Sequence, residues 1–136
     1  MTYRREIQIE FNHCDPAGIV FYPRYFEMTN SVVENFFKDE IGRSFASMHV
    51  EAQNGVPTVK IEAEFLAPSR LGDMVLFSLD VLQIGRSSVT VRISGAAGDQ
   101  VRMRATLTLV WIDGMKAAAW PAQMQARLEA HLEGGA

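Results

Sequence analysis

The sequence predicts an α+β fold, in which an antiparallel five-stranded sheet wraps around one long central helix and a second helix closes the C-terminus. Three observations predict it. Five stretches alternate apolar and polar residues with the period of two that a half-buried strand requires. One stretch near the N-terminus repeats its apolar residues at helical spacing instead. The later alternating stretches are joined by short polar or glycine-containing turns, so sequence neighbours pair as hairpins and the sheet is mainly antiparallel.

The first alternation runs from Arg5 to Phe11, with Ile7, Ile9 and Phe11 on one side and Glu6, Gln8 and Glu10 on the other. From about Arg24 to Ile41, residues Phe26, Val32, Val33, Phe36, Phe37 and Ile41 form a broad apolar face opposite Glu27, Ser31, Glu34 and Lys38. A helix of that length spans about 27 Å, matching a strand of about eight residues, so a sheet can wrap it. Gly42 suits its stop, and Arg43 to Gly55 is a mixed stretch with room for a short helical turn before Asn54-Gly55-Val56-Pro57. Val59, Ile61, Ala63 and Phe65 alternate with Lys60, Glu62 and Glu64, and Leu71-Gly72-Asp73 leads into Val75, Phe77, Leu79 and Val81. Gly85-Arg86 precedes Val89, Val91 and Ile93. Gly95 to Asp99 then connects to the longest alternation, in which Val101, Met103, Ala105, Leu107, Leu109 and Trp111 oppose Arg102, Arg104, Thr106 and Thr108. Asp113-Gly114 closes the series, Pro121 opens a helix to about Leu132, and Glu133 to Ala136 is expected to fray.

With 136 residues and 48% hydrophobic content, the chain suits a single domain over 1–136. A net charge of −3 with no Lys/Arg cluster argues against nucleic acid as a partner. The one cysteine, Cys14, excludes an internal disulfide and a multi-cysteine metal site. No apolar signal region follows Met1 to Glu6 and no run is long enough for a bilayer, so a cytoplasmic protein without a membrane partner is expected. One long helix covers only one face of five strands, so the other is expected to need a further subunit.

Chemistry concentrates in Asn12 to Tyr25, where an acidic residue, a glycine and a helix start fall together. Asp15-Pro16 begins a tight turn, Gly18 allows a backbone angle or a close ligand approach, and Pro23 suits a first helical turn because it has no N–H. The amides of that turn and the positive end of the helix dipole offer a site for an oxyanion.

Cys14-Asp15-Pro16-Ala17-Gly18-Ile19-Val20-Phe21-Tyr22-Pro23-Arg24-Tyr25 resembles the hotdog-fold acyl-CoA thioesterases, and more closely their 4-hydroxybenzoyl-CoA thioesterase branch. The resemblance implies an antiparallel sheet around one helix, subunits paired to extend the sheet, and active sites at the dimer interface, with dimers assembling into a homotetramer. It implies an acyl-CoA substrate and no cofactor, since coenzyme A is part of the substrate. By position, Asp15 matches the catalytic carboxylate, as nucleophile on the thioester carbonyl or general base for water, and the Tyr22 N–H matches the donor that polarises that carbonyl. Two departures matter: His13 stands where related sequences often carry a second acid, and Tyr22 where the short-chain branch has a histidine. The second points to an aromatic acyl group, with a short-chain acyl-CoA as the alternative.

His13, Gly18 and Tyr25 around the loop, and Arg86, Ser87 and Ser88 in the later hairpin, are the expected substrate-binding residues. For His13, tuning Asp15, holding a water and satisfying a loop carbonyl all stay open. Tyr25 and Phe26 are either acyl-pocket or core residues. Arg86 and its hydroxyl neighbours suit the phosphates of coenzyme A, although Arg70, Arg102 and Arg104 offer the same chemistry. Cys14 is expected to pack, His131 to face solvent, and no metal site is expected from His13, Cys14, Asp15 and His49. Glu27 and Glu34 fall on the polar side of the helix. A hotdog hydratase would want a paired Asp and His absent after Asp15, whereas a non-catalytic acyl-CoA or acyl-carrier-protein binding module would keep the fold and lose turnover.

Overall fold

The computed structural model describes residues 1–133. In chain order its elements are strand β1 (Tyr3–Gln8), helix α1 (Pro23–Phe36), short strand β2 (Asn54–Gly55), strands β3 (Thr58–Phe65), β4 (Met74–Ile84), β5 (Ser88–Ala97) and β6 (Gln100–Val110), short strands β7 (Ile112–Asp113) and β8 (Lys116–Ala117), and helix α2 (Ala122–Ala130). The five long strands form one sheet in the order β1-β4-β5-β6-β3, with every pairing antiparallel. The expected architecture is therefore the observed one.

Alternation explains the core. Val75, Phe77, Leu79 and Val81 of β4 and Val89, Val91 and Ile93 of β5 are buried, as are Met103, Ala105, Leu107 and Leu109 of β6. They meet Tyr25, Met28, Val32, Val33 and Phe36 of α1. The helix continues through a π-helical turn, Phe37–Ile41, and stops at Gly42, whose φ of 87° few other residues accept and whose N–H donates to Phe37 O at 2.8 Å. Tyr3 ties β1 to this turn by donating to Asp39 at 2.7 Å; burial first, then Asp39, pushes its phenol up to about 12.

Several expectations need correction. Phe11 lies beyond β1 in a 3₁₀ turn, Phe11–His13, and is 84% exposed, because the pairing of β1 with β4 ends before it. The apolar residues of β3 are only partly covered: Val59, Ile61 and Phe65 remain exposed because β3 is the sheet edge, although Phe65 still meets Tyr25 and Phe26 of α1. The outward sheet face is mixed, carrying Glu6, Gln8, Lys60, Glu62, Arg92, Arg104 and Thr106 together with exposed Met74 and Leu76. The stretch after Gly42 forms a π-helical turn, Ser47–Glu51, then β2, which joins β7 and β8 in a small second sheet that two-residue strands do not announce in sequence.

His131 is buried, not solvent-facing. Its Nδ1 lies 3.0 Å from Met1 O, its Nε2 3.6 Å from Glu40, and its ring stands edge-on to Phe36. Glu133 is anchored rather than frayed, by its N–H to Val81 O at 2.7 Å and its carboxylate to Arg92 at 2.7 Å. The fraying expected for residues 134–136 lies outside the described residues. Among the described residues, no helix is long and apolar enough to cross a membrane.

Candidate active site

The chain from His13 to Phe21 folds back on itself as a small hairpin just ahead of α1. Cys14 bridges Val20, the Asp15 N–H donates to Ile19 O at 3.0 Å, and the Phe21 N–H donates to His13 O at 3.0 Å. Its tip is a β-turn closed by the Gly18 N–H on Asp15 O at 2.9 Å, with Pro16 at the second position and Gly18 at φ 79°. Asp-Pro-x-Gly suits that geometry, because proline presets the first central φ and glycine tolerates the left-handed angle. No atom of the described residues lies within 4 Å of where a Cβ on Gly18 would stand, so within the chain it is the backbone angle that favours glycine there.

This turn fixes the carboxylate. Asp15 is half-buried and its Oδ1 accepts the Ala17 N–H at 2.9 Å, while Oδ2 takes no hydrogen bond from the described residues. One oxygen is thus a tether and the other is available for chemistry.

Across the hairpin, α1 begins with Tyr22 as N-cap and Pro23 in its first turn. Neighbouring amides are committed: Val20 N–H to Ser69 O at 2.9 Å, Arg24 N–H to Phe21 O at 2.8 Å and Tyr25 N–H to Tyr22 O at 3.0 Å. Pro23 has no N–H. The Tyr22 N–H consequently lacks an acceptor among the described residues and sits at the positive end of the helix dipole.

A network that sequence reasoning missed supports the hairpin from below. The Tyr25 hydroxyl donates to Ser69 Oγ at 2.8 Å, and Arg102 Nη1 reaches Pro68 O at 3.0 Å, Ser69 Oγ at 3.1 Å and Asp73 Oδ2 at 2.8 Å. Ile19 bridges Arg70, and the Leu71 N–H meets Gly18 O at 3.2 Å, so the hairpin rests on this loop. The Arg70 amide first, and Arg102 next, hold the Asp73 carboxyl below its ordinary value, while burial raises the Tyr25 phenol. Arg102 is therefore a buried strut, not one of the candidate phosphate ligands.

Beside Tyr22 lies a cavity of about 260 Å³ walled by Val20, Tyr22, Tyr25, Phe65 and Leu66. Phe65 stacks on Tyr25 with centroids 5.6 Å apart and meets Tyr22 edge-on, also at 5.6 Å. Tyr25 thus belongs to both readings, buried and pinned yet forming the pocket wall. A second hollow of about 300 Å³ opens between α1 and β3, lined by Phe26, Thr29, Asn30, Thr58, Ile61 and Leu107.

Other candidates lie elsewhere. The Gly85 to Ser88 turn, closed by the Gly85 N–H on Ser88 O at 2.8 Å, stands at the far end of β4 from Asp73. Eleven residues of strand separate them, about 33 Å at the usual rise, so one chain does not bring Arg86, Ser87 and Ser88 to its own Asp15. His13 Nδ1 accepts the Glu10 N–H at 2.8 Å. Cys14 packs against the core with Sγ 3.6 Å from Glu10 O. Glu27 is exposed and pairs with Arg24 at 2.9 Å, Glu34 is exposed, and no metal-type cluster occurs among the described residues.

One helix held in an antiparallel sheet, entered through an acidic hairpin, is the architecture of the hotdog-fold thioester hydrolases. The thioesterase superfamily model matches residues 17–104, beginning two positions after Asp15, and the chain belongs to that family of acyl-CoA thioester hydrolases. It is 26% identical over 113 residues to a 1,4-dihydroxy-2-naphthoyl-CoA hydrolase of Synechocystis sp., covering 76% of each chain. It is 28% identical over 88 residues to a 4-hydroxybenzoyl-CoA thioesterase of Pseudomonas sp. strain CBS-3, covering 64% of this chain and 62% of that protein. The crystal structure of a mutant 4-hydroxybenzoyl-CoA thioesterase complexed with 4-hydroxybenzoyl-CoA superposes with a TM-score of 0.85 at 27% identity, over 93% of this chain and 98% of that one.

Proposed function

We propose that the protein hydrolyses an aromatic acyl-CoA to the free acid and coenzyme A, with the Asp15 carboxylate as nucleophile or general base and the Tyr22 N–H as carbonyl donor. The observation that carries this reading is the pairing, across one hairpin, of a tethered half-buried carboxylate with an amide that lacks an acceptor among the described residues. In one route Asp15 takes a proton from water as the water oxygen bonds to the carbonyl carbon; the tetrahedral adduct collapses, the C–S bond breaks and the thiolate takes the proton. In the other, Asp15 itself attacks, the thiolate leaves, and water then cleaves the mixed anhydride. Both routes place negative charge on the carbonyl oxygen, where an amide donor of this kind is worth about 3 kcal/mol.

The cavity beside Tyr22 is walled by aromatic and aliphatic side chains, which favours a planar apolar acyl group. Both curated relatives named above are named for aromatic acyl-CoA substrates. Paired subunits complete the site in this reading. Of the two sheet edges, β1 carries Arg4, Arg5, Glu6 and Gln8, whereas β3 exposes Val59, Ile61 and Phe65, the side chains a partner strand and its helix would cover. Phe65 lies beside Tyr22, while Thr58 at the other end of β3 pairs with Leu109, itself paired with Val89 next to Ser88. Antiparallel pairing of two β3 strands reverses the ends, so it brings the partner's hairpin turn to the Asp15 end of the joined sheet. That turn then supplies Arg86 and its hydroxyl neighbours to the phosphates of coenzyme A, and dimers pair further into a homotetramer.

The test of the acyl class is thiol release from 4-hydroxybenzoyl-, naphthoyl-, acetyl- and palmitoyl-CoA. A kcat/KM at least tenfold higher for the aromatic thioesters is expected. Preference for acetyl-CoA overturns the aromatic assignment, and binding without release from any thioester identifies a non-catalytic module.

A further inference from the structure

His13 closes the turn that carries Asp15. Its Nδ1 accepts the Glu10 N–H at 2.8 Å, and the Glu10 carbonyl in return accepts the His13 backbone N–H at 3.0 Å, a reciprocal closure of the Phe11–His13 turn. An imidazole nitrogen that accepts from an amide carries no proton, so the ring in this cap is neutral, with its hydrogen on Nε2. The same residue's carbonyl accepts the Phe21 N–H at 3.0 Å, immediately before Tyr22. His13 thus holds both halves of the site: Asp15 is two residues ahead of it, and Phe21 is bonded across from it.

The ring lines a groove of about 330 Å³ between β1 and α1, on the side of the helix away from β3. The charged residues lining the groove are Arg5, Glu6 and Glu10 from β1 and its following turn and Glu27 from α1, the last also bound to Arg24, with the Glu6 side chain on the outward side of its strand. Carboxylates thus outnumber the one guanidinium around the groove. Protonation at Nδ1 would set an N–H against the Glu10 N–H, and two donors cannot share that bond.

We infer that His13 is a positioning residue whose neutral ring latches the catalytic hairpin, so that proton uptake by the imidazole opens the Glu10 cap and lowers turnover. The inference rests on Asp15 being the reactive carboxylate. Acidification then acts on kcat, through the placing of Asp15 against the carbonyl, more than on KM, since the ring's bonds run to the hairpin backbone.

The test measures kcat and KM against pH for the full-length protein, His13→Ala, His13→Asn and Asp15→Asn, with the His13 ring titration followed by NMR. Asparagine keeps an acceptor near the Nδ1 position and does not titrate. His13→Ala is expected to lower kcat about tenfold or more with little change in KM, as a small misplacement of a catalytic group does. His13→Asn is expected to recover most of that loss and to lack the acid limb that, in the native protein, follows the ring titration. Circular dichroism at each pH confirms that the variants are folded. An unchanged acid limb in His13→Asn, with Asp15→Asn inactive, overturns the latch alone. Full turnover by Asp15→Asn overturns the assignment of Asp15 instead.

Discussion

At the scale of single residues, the hairpin shows what local chemistry writes into a sequence. Asp15, Pro16, Gly18 and Pro23 each act within four positions of themselves, so the turn, the left-handed angle and the helix start are all legible before any folding is considered. Gly18→Ala tests this: with φ at 79° and no neighbour within reach of a Cβ, the cost is backbone strain alone, about 1 kcal/mol. Thermal unfolding is expected to register that loss, together with a fall in kcat as the Asp15 turn shifts. His131 was illegible for the opposite reason. Its partners, Met1, Phe36 and Glu40, come from the other end of the chain, and a histidine closing a short helix looks solvated until they are known.

At the scale of elements, alternation identified each of the five long strands but not what stands over it. Val59 and Ile61 have the same pattern as Val91 and Ile93, yet the first pair lies on the edge strand and the second under the helix. The strut beneath the hairpin was hidden likewise, because Arg102 and Asp73 are 29 residues apart and read as a surface cation and a turn acid. Arg102→Met removes the guanidinium and is expected to cost about 2 kcal/mol, the range for charge-assisted hydrogen bonds. Asp73 adds a pH signature. Its folded carboxyl lies below the unfolded one, so its contribution is complete above the unfolded value, near 3.9, and is lost as pH falls through the folded value. Asp73→Asn is expected to flatten that part of the melting profile; an unaltered acid slope would show that the pair contributes nothing measurable.

At the scale of the whole molecule, one chain separates the acid from the proposed coenzyme A ligands by the length of β4, and in the proposed dimer a second copy reunites them. Arg86→Ala is therefore expected to raise KM for an acyl-CoA about tenfold while sparing kcat, as the loss of one charge-assisted contact does. A mixture of Asp15→Asn and Arg86→Ala chains discriminates further. If each site takes Asp15 from one subunit and Arg86 from the other, the hybrid dimer holds one intact site and regains turnover at the native KM. If both residues serve from the same chain, no hybrid site is intact and the native KM does not return. Ile61→Lys, which sets a charge on the exposed apolar side of β3, is expected to reduce the particle to 15.2 kDa monomers by light scattering.

All of this turns on one carboxylate oxygen, and the decisive measurement is turnover of an aromatic acyl-CoA by Asp15→Asn at matched ligand affinity. Asparagine retains the tether to the Ala17 N–H and removes the charge. Turnover lost by about a thousandfold or more, with binding of the thioester preserved, is the predicted result, in keeping with the removal of a nucleophile or general base. Turnover within a few-fold of the native protein would contradict it and move the chemistry away from the hairpin.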